Sequence, residues 1–191
     1  LYRDIIAVCS RTSCYVKNDG NTELQNGRLI LESIDLQKES DNTNILLEKK
    51  LALESGPGII QHFDVDFTKL KFSSQVVSAK VLDGAGHILS SNLLTLAYPK
   101  LLSAPNYSVA ASVVKPTLAN PREYDIEIKA SGPALYVVLT SSAHGRFSEN
   151  CFYVSGKGSK IVKFLSFIEE DQYKELDRSL RVEHLGEMLV A

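Results

Sequence analysis

The sequence predicts an all-β chain folded as two tandem antiparallel β-sandwiches, and three observations lead there. Apolar residues recur at every second position in many short runs. Clusters of Asn, Asp, Gly and Ser, such as Asn18-Asp19-Gly20-Asn21, separate those runs. The stretch from Tyr98 to Asn106 carries Pro99 and Pro105, which supply no backbone donor and suit a linker better than a central strand.

The runs Asp4 to Cys9, Cys14 to Lys17, Arg28 to Leu36 and Ile45 to Leu53 have strand length. From Ile59 to Phe67, the residues Ile59, Phe63, Val65 and Phe67 point one way while His62, Asp64 and Asp66 point the other. Val77, Ala79 and Val81 repeat the pattern from Gln75 to Val81. Asp83-Gly84-Ala85-Gly86 then supplies the glycines of a hairpin turn, and His87 to Ala97 reads as the returning strand. That makes seven strands before Tyr98, the number in one immunoglobulin-like sandwich. Residues 1–97 are therefore expected to be the first immunoglobulin-like domain, 98–106 a linker and 107–191 a second such domain. In the second, Tyr124, Ile126, Ile128 and Ala130 alternate with Glu123, Asp125, Glu127 and Lys129, as in a half-buried strand. Ala134 to Leu139 is apolar throughout and suits a strand covered on both faces. Ser155 to Lys160 reads as a hairpin turn before a strand from Ile161 to Phe167. Glu169 to Arg178 has the charge of a solvated loop or a short turn of helix, and Leu180 to Leu189 reads as a last strand.

Length and composition fit this plan. With 191 residues, 44% hydrophobic and 23% charged, the chain can bury two small cores. Its 21 basic and 23 acidic residues create no field that would favour nucleic acid or an anionic membrane, so neither is an expected partner. No stretch approaches the roughly 18–20 apolar residues that span a bilayer. Leu1 to Ser10 lacks the basic-then-apolar plan of a signal peptide, and a start at Leu1 rather than Met suits a fragment or a processed product. Cys9, Cys14 and Cys151 are odd in number and have no metal-ligand spacing. A Cys9–Cys14 or a Cys14–Cys151 disulfide can be drawn, but inert thiols acting as small hydrophobes are the expectation.

No catalytic, cofactor-binding or metal-binding residues are expected. The acid pairs Asp64 with Asp66 and Glu169 with Glu170 fall on a solvent face and in a charge run. Ser141, Ser142 and His144 are too close in sequence to serve as nucleophile and base without a third orienting group. His62, His87, His144 and His184 are scattered, with no second ligand three or four residues away. Ser155 to Lys160 has glycines without the spacing of a phosphate loop. The segment Leu139 to Phe152, LTSSAHGRFSENCF, is the most informative. Within Gly145, Arg146, Phe147, Ser148, Glu149 and Asn150, the glycine can turn the chain. Phe147 and, beyond the segment, Phe152 can anchor it, and Arg146 can form a planar fork with Glu149. A stapled structural loop is the expected result, ahead of a sugar ligand at Arg146. Asn106-Tyr107-Ser108 is the one Asn-x-Ser/Thr sequon without proline, so Asn106 is a candidate for N-glycosylation if the chain follows a eukaryotic secretory route.

The GRFSEN segment at Gly145 to Asn150 resembles the "GRFSDN-aromatic" segment in the last immunoglobulin-like domain of β-mannosidases of glycoside hydrolase family 2. SAPNYS at Ser103 to Ser108 is similar to the family's "SPTNY" linker, and LRVEHLGEML at Leu180 to Leu189 to its final strand. Residues 1–97 resemble the preceding sandwich by strand order and by the VLDGAGHILSSN hairpin. Glu149 stands where the family usually has Asp, and Cys151 where an aromatic or small residue is common. The resemblance implies a non-catalytic accessory region of an enzyme that hydrolyses terminal β-D-mannose residues. Its partners would be that enzyme's N-terminal domains and its catalytic barrel, a fold of roughly 250 residues. The carboxyl pair, about 5 Å apart in retaining enzymes, would lie in the barrel. Lysosomal, vacuolar, secreted and cytoplasmic locations all remain open. A free-standing carbohydrate-binding or adhesion module is the alternative, but the chain has no Trp to offer a sugar platform, so direct glycan binding is not expected.

Overall fold

The structure is a computed structural model that describes residues 4–39, 43–56, 58–114, 122–156 and 158–190. It divides into two compact units, one of Leu1–Asp35 with Asn42–Leu102 and the other of Leu36–Asp41 with Ser103–Ala191.

The described residues of the first unit form seven strands: β1 (Ile5–Cys9), β2 (Ser13–Asn18), β3 (Leu24–Asp35), β4 (Thr43–Leu53), β5 (Ile59–Asp64), β6 (Gln75–Leu82) and β7 (Ile88–Thr95). They form a three-stranded sheet in the order β1-β2-β5 and a four-stranded sheet in the order β4-β3-β6-β7, with antiparallel neighbours throughout. Alternation does the work in each: Cys14 and Val16 from one sheet meet Leu29, Leu31, Val77, Ala79 and Val81 from the other in one buried cluster. The β6–β7 hairpin closes on Asp83, whose carboxylate Oδ1 accepts from the N–H groups of Ala85 (2.9 Å) and His87 (2.8 Å). Gly86 takes the positive φ of 92° that the turn requires.

The thiol expectation is corrected here. Cys9 and Cys14 are partners across the β1–β2 ladder and are joined as a disulfide, while Cys151 is free and exposed. Hairpin register brings the two Cα atoms to 4.0 Å, which a reading of sequence spacing alone does not reveal.

The second unit holds β8 (Val109–Val114), β9 (Glu123–Ala130), β10 (Ala134–Thr140), β11 (Gly145–Phe147), β12 (Phe152–Val154), β13 (Ser159–Ser166), helix α1 (Tyr173–Ser179), β14 (Arg181–Glu183) and helix α2 (Leu185–Val190). Its sheets run β11-β13-β9-β8 and β12-β10-β14. Tyr124, Ile126 and Ile128 of β9 are fully buried, and they pack with Val162 and Phe164 of β13 and with Val137 and Leu139 of β10. Strand β10 contains a bulge: its register with β12 shifts between Ala134 and Val137, and Tyr136 sits at φ 51°. The extra residue lets Ala134 and Val137, an odd number apart, both face the core.

Two details of the second unit depart from the sequence expectations, and a third decides between two alternatives. The last strand ends at Glu183, because β14 pairs with β10 only from Thr140↔Arg181 to Val138↔Glu183, after which the chain turns into α2. Ser155 to Lys160 is not a hairpin turn: β12 pairs with β10 whereas β13 pairs with β9 and β11, so this segment carries the chain from one sheet to the other. The charged stretch from Glu169 is helical from Tyr173, because Leu176 is fully buried among the core residues and fixes one face of the turn.

Candidate functional site

The segment from Gly145 to Asn150 joins the two sheets of the second unit. Gly145, Arg146 and Phe147 pair with Ser166, Leu165 and Phe164 of β13. Gly145 is demanded by packing rather than by a turn: a Cβ there would stand 2.3 Å from Cζ of Phe164 and 2.5 Å from the Leu165 carbonyl oxygen. Phe147 meets Phe164 edge-on, with ring centroids 5.3 Å apart and planes at 64°. Ser148 prolongs the ladder, its N–H donating to the Lys163 carbonyl (2.7 Å) and its Oγ accepting from the Lys163 N–H (3.0 Å).

Asn150 makes the crossing to the other sheet. Its Oδ1 accepts from the Leu139 N–H at 2.8 Å, and its Nδ2 donates to the Leu139 carbonyl at 2.9 Å. One side chain thus satisfies both backbone groups of a β10 residue that is 1% exposed, in the manner of a strand partner. Oδ1 also accepts from the Cys151 N–H at 3.1 Å, and Cys151 turns the chain at φ 60° into β12. Phe152 follows, buried in the core.

The fork between Arg146 and Glu149 does not form. Glu149 pairs instead with Lys160 (3.0 Å), whose ammonium lies 4.8 Å from the Phe152 ring centroid. Arg146 lies on the outer face of β11, exposed, and its guanidinium makes no hydrogen bond or ion pair among the described residues. The reason is alternation: with Phe147 turned inward, Arg146 faces out, and Glu149 lies past the end of the strand. The staple exists, but Asn150 makes it. Asn150 closes the sequence motif, and a side-chain amide able to pair with both backbone groups of one residue was the signal that could have found it.

Residues 104–188 match the family model of the Ig-fold domain Ig_mannosidase. This segment has an Ig fold and is similar to the mannosidase-type domain. The tandem fold as a whole is similar to part of a β-D-mannosidase from Dictyoglomus thermophilum, with a TM-score of 0.69 at 16% identity over 95% of this chain and 22% of that one. It is also similar to part of an exo-chitosanase from Amycolatopsis orientalis, with a TM-score of 0.67 at 12% identity over 96% of this chain and 26% of that one. The chain therefore spans about a quarter of the length of these structures. Among curated proteins no sequence matches it.

In the second unit, the residues that suggested chemistry make structural contacts. Ser141 Oγ lies 2.7 Å from Ser179 Oγ and accepts from the Ala143 N–H, while Ser142 Oγ donates to Glu175. The Ser142 hydroxyl and Arg178 hold the Glu175 carboxyl below the usual range. The His144 N–H donates to Gln172 Oε1 at 3.1 Å, and its imidazole is exposed. Glu169 pairs with Arg122 at the surface. A deeper network surrounds the fully buried Tyr124, whose hydroxyl donates to Asp171 Oδ1 (2.9 Å) and accepts from the Gln172 N–H (2.8 Å). Burial raises the Tyr124 pKa, whereas the Tyr173 N–H and the Tyr124 hydroxyl lower that of Asp171.

In the first unit Asp64 and Asp66 are exposed, and Thr68 holds the Asp66 carboxyl low by donating its hydroxyl and N–H. His62 stands beside Tyr15, with ring centroids 6.0 Å apart, and His87 is bonded to Asp83. His184, in the second unit, is buried and accepts from the Gly186 N–H. No group of three or more His, Cys, Asp or Glu suited to a metal occurs among the described residues, and no described helix is long and apolar enough to cross a membrane.

Proposed function

We propose that this chain is the non-catalytic accessory region of a β-mannosidase-like glycoside hydrolase, an enzyme that removes terminal β-D-mannose residues and whose catalytic barrel lies outside these 191 residues. The observation that carries the reading is the match of residues 104–188 to the mannosidase-type Ig domain. The likeness of the tandem pair to a quarter-length portion of a β-D-mannosidase and of an exo-chitosanase supports it. The role is packing: the two sandwiches lie against the barrel and the N-terminal domains and stabilise them, with 98–106 as the link between the sandwiches.

The side chains of the GRFSEN segment fit that role. Most of them are consumed in joining sheets, which leaves Arg146 exposed on the outer face. The test is to isolate the natural polypeptide and assay it. A product of about four times this chain's length, with β-mannosidase activity that the 191-residue piece lacks, is the expected result. A natural product ending at these residues, or retention of the isolated chain on mannan, would overturn the reading in favour of a free-standing module. Activity on glucosaminides instead of mannosides would retain the accessory role and move the parent to the chitosanase side.

A further inference from the structure

The Asn106-Tyr107-Ser108 triplet plays no part in the cores or in the sheet-joining staple. The Tyr107 N–H donates to the Pro105 carbonyl at 3.0 Å, an i to i+2 bond that makes Asn106 the central residue of a γ-turn. Asn106 is not among the positive-φ residues, so this is the inverse, unstrained form. Its neighbours are fixed within the second unit. The Tyr107 ring covers Gly132, where a Cβ would come within 2.5 Å of it, and the Tyr107 hydroxyl donates to the Leu36 carbonyl at 3.2 Å. The Ser108 N–H donates to Ser131 Oγ at 3.0 Å, and its carbonyl accepts from the Ser131 N–H at 2.9 Å.

A rigid turn thus presents the Asn106 amide to solvent, with an exposed Ser108 two residues on. Neither the Asn106 amide nor the Ser108 hydroxyl makes a hydrogen bond among the described residues. An N-glycan acceptor needs both: a reachable amide and a free hydroxyl at the second residue after it. An independent observation points to the same environment. The Cys9–Cys14 disulfide belongs to an oxidising compartment, which in eukaryotes is where N-glycans are attached.

We propose that Asn106 is an N-glycan acceptor, filled when the chain passes through the eukaryotic secretory pathway. In the transfer, Asn106 Nδ2 forms a bond to C1 of the first sugar of a lipid-diphosphate-linked oligosaccharide. The bond from C1 to the diphosphate oxygen breaks, the lipid diphosphate leaves with the electron pair, and the amide nitrogen loses one proton.

The experiment directs the 191-residue chain into the pathway of cultured eukaryotic cells behind a cleavable signal, and reads every chain that has entered, retained or secreted. The wild type is expected to be heavier than its sequence mass. A peptide N-glycosidase should remove the excess and leave an aspartate at position 106 in the peptide map. Asn106→Gln and Ser108→Ala should both appear at the stripped mass, while Ser108→Thr should keep the glycan. A wild-type chain whose translocated pool carries unmodified Asn106 would overturn the proposal, as would a mass excess that survives Asn106→Gln.

Discussion

Replacing Asn150 by Ala removes the contact that ties the GRFSEN segment to β10. Three hydrogen bonds are lost, two to Leu139 at 2.8 and 2.9 Å and one to the Cys151 N–H at 3.1 Å. Each contributes about 1 kcal/mol net, and leaving a buried donor or acceptor unpaired costs about 1–3 kcal/mol. Because the Asn150 side chain is partly open to solvent, water can reach some of the vacated groups, so a loss of about 2–3 kcal/mol is expected. For a domain of this size, each kcal/mol shifts the melting temperature by about 4–8 °C, so the second unit's transition should fall by about 10 °C or more. Asn150→Asp is the sharper variant, since it keeps the acceptor for the Leu139 N–H but sets a carboxylate oxygen against the Leu139 carbonyl. That contact raises the folded-state pKa of the new carboxyl, so relative to wild type the variant should be weakest near neutral pH and recover as pH falls towards the unfolded value of about 4, below which the recovery is complete. Arg146→Ala is the control and should change stability by less than about 0.5 kcal/mol, because Arg146 is exposed and unpaired among the described residues. Thermal and urea melts of the three variants decide the matter. Equal melting of Asn150→Ala and wild type, or a large loss in Arg146→Ala, would refute the assignment of the staple to Asn150.

Gly145→Ala should destabilise the second unit by about 1–3 kcal/mol through overpacking, since its Cβ would enter the Phe164 ring and meet the Leu165 carbonyl; a urea melt within error of wild type would contradict this. Tyr124→Phe leaves the Gln172 N–H without its acceptor and should cost about 1–3 kcal/mol. Because burial raises the folded-state pKa of Tyr124, its contribution is complete below the unfolded value of about 10 and is lost as pH rises beyond it. Wild type should therefore lose stability above that pH more steeply than Tyr124→Phe, and parallel curves would count against the buried hydroxyl. The Cys9–Cys14 bridge closes a loop with a sequence separation of 5, for which loop entropy gives about 2 kcal/mol. The double Cys9→Ser, Cys14→Ser chain should lose that amount, and alkylation of the native wild type should label Cys151 alone; labelling of all three cysteines would refute the bridge.

Strand β2 was legible because one of its faces is buried, so burial writes itself into the sequence with period two: Cys14 and Val16 are buried and alternate with the half-buried Ser13, Tyr15 and Lys17. Leu180 to Leu189 misled because Leu180, Val182 and His184 alternate as a strand would, while the three-residue pairing with β10 ends at Glu183. Nothing local marks where a partner strand ends. The turn read at Ser155 to Lys160 failed for a related reason: glycines announce a change of direction but not which sheet receives the next strand. The Cys9–Cys14 bridge depends on the register of a hairpin, and register is a property of two strands together. In the GRFSEN segment the aromatic anchors were legible from their size. Arg146 and Glu149 drew attention as a charge pair, whereas the uncharged Asn150 makes the bonds.

That misdirection bears on function. A motif rich in Arg, Ser, Glu and Asn has the composition of a sugar-binding loop, yet Ser148 completes a ladder with Lys163, Glu149 neutralises Lys160, and Asn150 substitutes for a strand. The Ser148 hydroxyl and the Asn150 amide are turned on the protein's own backbone, while Arg146 is left exposed. Such a segment specifies how two sheets close on each other, which is a requirement of the fold. Likeness to both a β-D-mannosidase and an exo-chitosanase, at 16% and 12% identity, is a likeness of fold, and a segment that closes two sheets belongs to what that fold requires.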